Sequence, residues 1–465
     1  FYFLVRSVFR LKIYLSVILV LGSIFSSGLC AYKLPSSKPN ILFILVDDMG
    51  YADISVLGQK KYRTPHIDAI FHGGTYFTNG YVTNSVCAPS RAGLITGRLG
   101  SYFGFEANLP ERSHLPNSTI GLDPEQKTIA DVLKPVGYKS ICIGKWHLGY
   151  NDDLFHPNNR GFDEFFGLLG GSRSYYKIDY DRGNSLQYNG SFIDEPDDMY
   201  ITDYLTDKAI ALIKHQVKHT PEQPFFVYMS YTAPHVPMHA KESDLKRVAH
   251  IEKDLRRMYA AMVLCVDDNV GRLQACLDEL GISDNTLVVF LSDNGGPIAN
   301  GSWNGQLRGN KGSLWEGGIR VPFALKWPGV IPAKKMNHTF VSSVDLLPTF
   351  AAVSGADHFG PVASDGMDLM PLLQGEPGEY MDRAFFWRRG NMKNVAVRYR
   401  NYKYIMNRRT NEEYLFDLHK DISERDNMAV FMPDYTDALR TIQAKWEASV
   451  PDPGFSSDWK VKESN

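Results

Sequence analysis

Asn40-Ile41-Leu42-Phe43-Ile44-Leu45-Val46-Asp47-Asp48 is an unbroken apolar run closed by two carboxylates. It shows no polar–apolar alternation and is too short for a helix of ordinary length. A run of this kind, rich in branched side chains, predicts a strand buried on both faces, as in a parallel sheet. The same design recurs three times. Lys139-Ser140-Ile141-Cys142-Ile143 leads into Gly144-Lys145-Trp146-His147, and Phe225-Phe226-Val227-Tyr228-Met229 leads into Ser230 and then His235. Leu287-Val288-Val289-Phe290-Leu291 leads into Ser292-Asp293-Asn294-Gly295-Gly296. Helix-like stretches lie between these runs, at Thr128 to Lys134, Thr202 to His215 and Leu255 to Leu280. Strands alternating with helices predict an α/β fold: a large central, mostly parallel sheet flanked by helices. Ligands of such sheets bind at the carboxyl ends of the strands, so the four polar ends should converge.

The texture changes after about Gly355. Ala384-Phe385-Phe386-Trp387, Val395 to Arg398, Tyr402 to Ile405 and Tyr414 to Leu418 are short strand-like runs broken by polar turns, and Tyr435 to Trp446 has helical spacing. These predict a smaller C-terminal antiparallel sheet plus one helix. The expected division is a signal peptide at 1–31, a catalytic domain at 38–355 and a C-terminal subdomain at 356–465.

Arg6, Arg10 and Lys12 precede an apolar stretch from Ile13 to Phe25, and small residues Ser26, Ser27 and Gly28 follow. That is the layout of a secretory signal, with an uncleaved anchor as the alternative. The expected location is secreted or periplasmic, or lysosomal or extracellular in a eukaryote, with no stable membrane partner after cleavage. Asn117, Asn189, Asn300 and Asn337 open N-x-S/T sequons. Of five cysteines, Cys30 falls in the signal and Cys87 has a chemical reading, which leaves Cys142, Cys265 and Cys276 for at most one disulfide. Lys and Arg number 50 against 52 Asp and Glu, so no basic excess points to nucleic acid, and any anion recognition must be local.

Asp47-Asp48 and Asp293-Asn294 supply hard oxygen donors of the kind that suit Ca²⁺ or Mg²⁺. Either pair alone is equally a helix cap or turn, but at the ends of two buried strands they read as one cation site. Cys87-Ala88-Pro89-Ser90-Arg91-Ala92-Gly93-Leu94-Ile95-Thr96-Gly97 is the other chemical stretch. Pro89 suits the first turn of a helix, which places Cys87 just ahead of an anion-attracting helix end. Arg91, four residues on, would share its face. The bland alternative is a buried cysteine with Arg91 paired to a surface carboxylate.

The stretch resembles the signature of the type I sulfatases, C-x-P-S-R-x-x-L-x-T-G, at every fixed position. Other blocks resemble the same family in the same order. Gly137 to His147 is similar to its G-Y-x-S-x-x-x-G-K-x-x-H signature, except that His147 here lies two residues after Lys145, in the form Gly144-Lys145-Trp146-His147. Ala233-Pro234-His235 matches A-P-H, and Leu307 to Lys311 with Glu316 to Pro322 matches L-R-G-x-K…E-G-G-x-R-V-P. Asp417 to Asn427 matches D-L-x-x-D-x-x-E-x-x-N, so the resemblance spans about Lys38 to Asn427.

The family implies an alkaline phosphatase-like fold and conversion of Cys87 to formylglycine by a maturation enzyme. It also implies one Ca²⁺ per chain, held by Asp47, Asp48, Asp293, Asn294 and position 87. Lys145, Lys311 and His235 would hold the sulfate, His147 would take a proton from the nucleophile, and Arg91 would order it. The implied activity is hydrolysis of a sulfate ester, of a sulfated carbohydrate or an aryl sulfate. Alternatives are a phosphodiesterase or phosphonate monoester hydrolase of the same superfamily, or an inactive sulfated-glycan-binding protein. Specificity is expected in two loops, Leu168 to Tyr200 and Pro297 to Arg308, with Arg173, Tyr175, Trp303 and Arg308 as contacts to the alcohol part. The competing reading is that Tyr175 and Trp303 only close those loops.

Overall fold

The computed structural model describes residues 37–110, 113, 118–181, 183–356, 364–376, 380, 382–389 and 393–455. The predicted signal peptide at 1–31, with Cys30, and the Asn117 sequon lie outside the described residues. The larger sheet contains β1 (Asn40–Val46), β2 (Thr75–Tyr81), β3 (Lys139–Lys145), β4 (Glu164–Leu168), β5 (Gln187–Tyr188), β6 (Ser191–Phe192), β7 (Phe225–Ser230), β8 (Thr286–Ser292), β9 (Phe323–Lys326) and β10 (Lys335–Ser342). Their spatial order is β10-β2-β9-β8-β1-β7-β3-β4-β5-β6. The four strands predicted from unbroken apolar runs lie together as β8-β1-β7-β3, all parallel, with β1 in the middle. Every residue of β1, β7 and β8 is buried, which is why no alternation marks them in the sequence.

The connecting helices Ile201–His219 and Asp254–Glu279 match the predicted stretches to within a few residues and pack on each other. The second buries Tyr259, Met262, Val266, Val270, Leu273 and Leu277, a stripe at three- and four-residue spacing. Among the described residues no helix is long and apolar enough to cross a membrane. Cys142, Cys265 and Cys276 are free buried thiols, so the expectation of up to one disulfide resolves to none among them.

The smaller sheet is antiparallel, with order β11 (Ala384–Arg389), β12 (Asn394–Tyr399), β13 (Tyr402–Asn407) and β14 (Glu412–Asp417). The helix Pro433–Glu447 covers β12 and β13, and Trp446 stacks on Phe386 with ring centroids 4.8 Å apart. Buried Lys403 on β13 ties this sheet to the larger one, donating at 2.9 Å to both Glu316 and Glu424. The large mostly parallel sheet and the small antiparallel one are the two parts the sequence predicts.

Candidate active site

The carboxyl edge of β8-β1-β7-β3 collects the polar strand ends. Asp47 and Asp48 follow β1, Lys145 ends β3, Ser230 ends β7, and Asp293 and Asn294 follow β8. All six are buried. Gly144 turns the end of β3 at φ 99°, where a Cβ would lie 2.0 Å from the Ser230 carbonyl oxygen. Only glycine fits that approach, and it delivers Lys145 into the cleft. Asp48 and His147 also sit at positive φ, 66° and 60°. Such conformations cost about 1–3 kcal/mol and are kept where surroundings enforce them. Asp48 is pinned by its N–H to Asp293 Oδ1 at 3.2 Å and by the Tyr259 hydroxyl on its carbonyl at 3.0 Å.

Cys87 is the first residue of the helix Cys87–Thr96, after extended Val86, one position further into the helix than its sequence placement. Its Sγ lies 3.6 Å from Asp47 Oδ1 and 3.2 Å from Lys311 Nζ. Arg91, fully buried on the same helix, donates from Nε to Asp293 Oδ2 at 2.9 Å and holds Nη2 in ion-pair contact with the same oxygen at 2.9 Å. Its Nη1 reaches the Lys145 carbonyl at 3.2 Å and Ser230 Oγ at 2.5 Å, so the surface-carboxylate reading of Arg91 does not hold. Lys145 Nζ meets Asp47 Oδ2 at 2.6 Å, and Lys311 Nζ meets Asp48 Oδ1 at 2.7 Å. His235 points Nε2 at Asp48 Oδ2, 3.5 Å away, and donates from Nδ1 to the Val236 carbonyl at 2.7 Å.

Electrostatics follows from this packing. Burial alone would push the Cys87 thiol up, but Lys145 and Lys311 reverse that and hold it well below the ordinary thiol range. Burial pulls His235 down, while Asp47 and Asp48 overcome it and raise the imidazole to about 9. For His147 burial comes first, and Lys145 and Arg91 add to it, so this imidazole stays neutral. Burial and the nearby Asp47 lift Asp293 to about 6 against the pull of Arg91. One cleft thus offers a protonated and a neutral histidine, the arrangement that acid and base roles require.

The donor set fits a hard divalent cation. Ligand atoms of Asp47, Asp48, Cys87 and His235 all lie within 4.8 Å of one another. Asn294 donates from Nδ2 to Asp48 Oδ1 at 2.7 Å, and its buried Oδ1 has no hydrogen-bond partner. An orphaned amide oxygen beside buried carboxylates is a group that a bound cation satisfies.

A family model described as sulfatase matches residues 39–356, and one described as N-sulphoglucosamine sulphohydrolase, C-terminal, matches residues 309–449. The chain belongs to the sulfatase family. It is 35% identical to N-acetylgalactosamine-6-sulfatase of Homo sapiens over 381 residues, 77% of this chain and 70% of that protein. Human arylsulfatase A is 32% identical over 75% of the chain and 70% of its own length. A crystal structure of Ps i-CgsB in complex with k-i-k-neocarrahexaose superposes with a TM-score of 0.85 at 34% identity, covering 91% of this chain and 95% of that one.

In this sulfatase two of the four expected alcohol-binding residues, Arg173 and Tyr175, serve other ends. Arg173 is buried, forked onto Glu195 at 2.6 Å through both Nη atoms, with further bonds to the carbonyls of Ser174, Asn184 and Tyr176. It folds its own loop and has no donor left for substrate. Tyr175 is 1% exposed and donates to the carbonyls of Thr232 and His235, so it clamps the turn that carries His235. Arg308 lies 3.7 Å over the Trp315 ring and donates from Nη1 to the Glu424 carbonyl, but it stays exposed to solvent. Trp303 alone keeps an open ring, 42% exposed.

Two residues of the sulfatase site carry no signal of their own in the sequence. Tyr259 reaches Asp48 from the second turn of the helix Asp254–Glu279, where a tyrosine on the buried stripe reads as core. Ser292 Oγ accepts the Met49 N–H at 3.0 Å and donates to the Asn294 carbonyl at 2.9 Å. Its position as the last residue of a buried strand is the only hint.

Proposed function

We propose that the chain hydrolyses sulfate esters of carbohydrates, with Cys87 matured to formylglycine and one Ca²⁺ held by Asp47, Asp48, Asp293, Asn294 and position 87. The observation that carries this is the seating of Cys87 between Lys311 Nζ at 3.2 Å and Asp47 Oδ1 at 3.6 Å, at the convergence of four strand ends. The Cys87 Sγ stands where the formylglycine oxygens would be. The matured group supplies a hydroxyl nucleophile, and the cation supplies charge for a sulfate oxygen.

The remaining chemistry belongs to side chains already in place. Lys145 and Lys311 put two ammonium groups against a sulfate bound at position 87, in a largely buried site where such charges act strongly. Protonated His235 faces the cleft as proton donor to the departing alcohol oxygen, with Lys311 as the other candidate. Neutral His147 leaves Nδ1 without a protein hydrogen-bond partner and can take a proton from the nucleophile's second hydroxyl. Arg91 bridges Asp293 and the end of β3 and fixes the carboxylates around the nucleophile.

The carbohydrate reading draws on the relatives, one named for a sulfated amino sugar and one solved with a neocarrahexaose. The N-terminal pattern supports export, where a maturation enzyme would meet the chain. The test is a screen of purified, matured protein against defined sulfated saccharides, an aryl sulfate and a phosphate diester, with released anion measured by ion chromatography. Sulfate release from a saccharide is expected. Preference for the phosphate diester, or no sulfate release at all, would remove this reading.

A further inference from the structure

We propose that a cleft beside the catalytic site is a second anion-binding subsite, which takes a further charged sugar residue of the substrate chain. This rests on the reading of the substrate as a sulfated carbohydrate. The cleft holds about 400 Å³, within the size range of small-molecule sites. Lys60, Lys61, Lys253 and Arg256 line it together with Ile298 and Trp303.

The four cations are not equivalent. Arg256 is committed: it pairs with Asp53 Oδ1 at 2.6 Å, donates to the Gly301 carbonyl at 2.7 Å, and lies 5.4 Å from the rings of both Tyr62 and Tyr259. It forms a rigid floor whose charge Asp53 balances. Lys60, Lys61 and Lys253 are exposed, and among the described residues their side chains make no ion pair or hydrogen bond. Three lysines without a partner line one concavity on a chain whose formal charge is −2. A cleft that focuses one sign of charge raises the local concentration of the opposite sign.

The walls supply what a sugar ring needs besides charge. The Trp303 ring is 42% exposed and Ile298 55%, an apolar face next to the lysines. Stacking on the indole with sulfate or carboxylate oxygens on the lysines is a complete set of contacts for one acidic saccharide unit.

The cleft is wired to the nucleophile side by buried hydrogen bonds. Trp303 N–H and Gly50 N–H both donate to Asp53 Oδ2, at 2.9 and 3.1 Å. Tyr259 accepts from the Gly50 N–H at 3.2 Å and donates to the Asp48 carbonyl at 3.0 Å. The loops after β1 and β8 therefore carry the metal-site residues at their starts and the cleft a few residues further on. On this proposal a substrate chain with its sulfate at position 87 lays its neighbouring unit there.

The experiment uses full-length protein made without N-glycosylation, because Asn300 opens a sequon next to Gly301 of the cleft. Binding is measured calorimetrically in the Cys87→Ala background, with tetrasaccharides of carrageenan, chondroitin sulfate and hyaluronan as probes. They carry sulfate only, both groups, and carboxylate only, so the pattern of binding says which anion the lysines take. The triple variant Lys60→Ala, Lys61→Ala, Lys253→Ala is expected to weaken the bound tetrasaccharide by roughly tenfold and to flatten its salt dependence. Triple Lys→Arg should restore most of the affinity. With Cys87 intact, aryl sulfate turnover by the triple Ala variant should stay within about twofold of the parent. Equal tetrasaccharide affinity in parent and triple variant, or no binding of any probe to the parent, overturns the subsite. Failure of the parent to hydrolyse any sulfate ester speaks instead against the sulfatase chemistry, because the binding measurement does not depend on it.

Discussion

At the scale of single residues the proposed chemistry hangs on position 87. A thiol held far down by Lys145 and Lys311 is already an activated group, so unmodified Cys87 and its matured form make different predictions. Mass analysis of the peptide containing position 87, from protein made with a maturation enzyme, should show the aldehyde. Cys87→Ala should cost at least about 10⁴-fold in turnover, as removal of a nucleophile does. Fully active enzyme carrying only thiol would end the formylglycine reading. The cation has its own test. Chelation should abolish turnover and added Ca²⁺ should restore it, with circular dichroism unchanged throughout. The orphaned Asn294 Oδ1 beside buried Asp48 is the oxygen such a cation would satisfy, while Lys145, Lys311 and Arg91 keep the carboxylates paired and the fold intact. Unchanged turnover after exhaustive chelation would leave that oxygen unexplained.

At the scale of elements, the sequence spoke clearly wherever a short stretch carries its own reason. The unbroken runs of β1, β7 and β8 are buried on both faces, and their polar ends are adjacent in the chain to the strands that aim them. Asp47, Lys145 and Asp293 could therefore be placed in one cleft before any contact was seen. Arg173 could not. Its partner Glu195 is twenty-two positions away across a loop without regular pattern, and only packing selects it. An arginine in a glycine-rich loop looks the same whether it meets a ligand or a buried carboxylate. The consequence is testable. Arg173→Ala leaves Glu195 uncompensated and should cost about 3 kcal/mol of stability while lowering saccharide and aryl sulfate turnover alike. Burial would raise Glu195, but Arg173 and the Leu186 N–H hold it below the ordinary carboxylate range. A depressed acid stabilises above its unfolded value and loses that contribution as pH falls through its folded one. The stability gap between parent and Arg173→Ala should thus be full at neutral pH and shrink below about pH 4.5. A selective loss on the saccharide alone, with stability unchanged, would return Arg173 to the substrate.

At the scale of the whole molecule, the small sheet braces the loop that carries Lys311. Lys311 lies between Arg308, which donates to the Glu424 carbonyl, and Glu316, whose N–H donates to Glu424 Oε2 at 2.7 Å. Glu316 and Glu424 both close on Lys403 of β13 at 2.9 Å, in a pocket where all three side chains are fully buried. Burial and the nearby Glu316 push Glu424 up to about 7, since one ammonium serves two carboxylates, while Glu316 also draws on Arg320 at 3.2 Å. Replacing Lys403 by methionine keeps the volume and strands both acids, which should cost about 3–5 kcal/mol. Stranded carboxylates take up protons more readily, so the deficit should be largest at pH 8 and narrow as the pH falls towards 5. Because Glu424 anchors Arg308 and Glu316 on either side of Lys311 in the chain, kcat/KM for an aryl sulfate should fall in the variant even at temperatures where it stays folded. The double change Lys403→Met with Glu424→Gln should recover part of the stability, since only Glu316 is then left charged and Arg320 remains beside it. Loss of stability with unaltered kcat/KM would show that the sheet supports the fold without holding Lys311 in place.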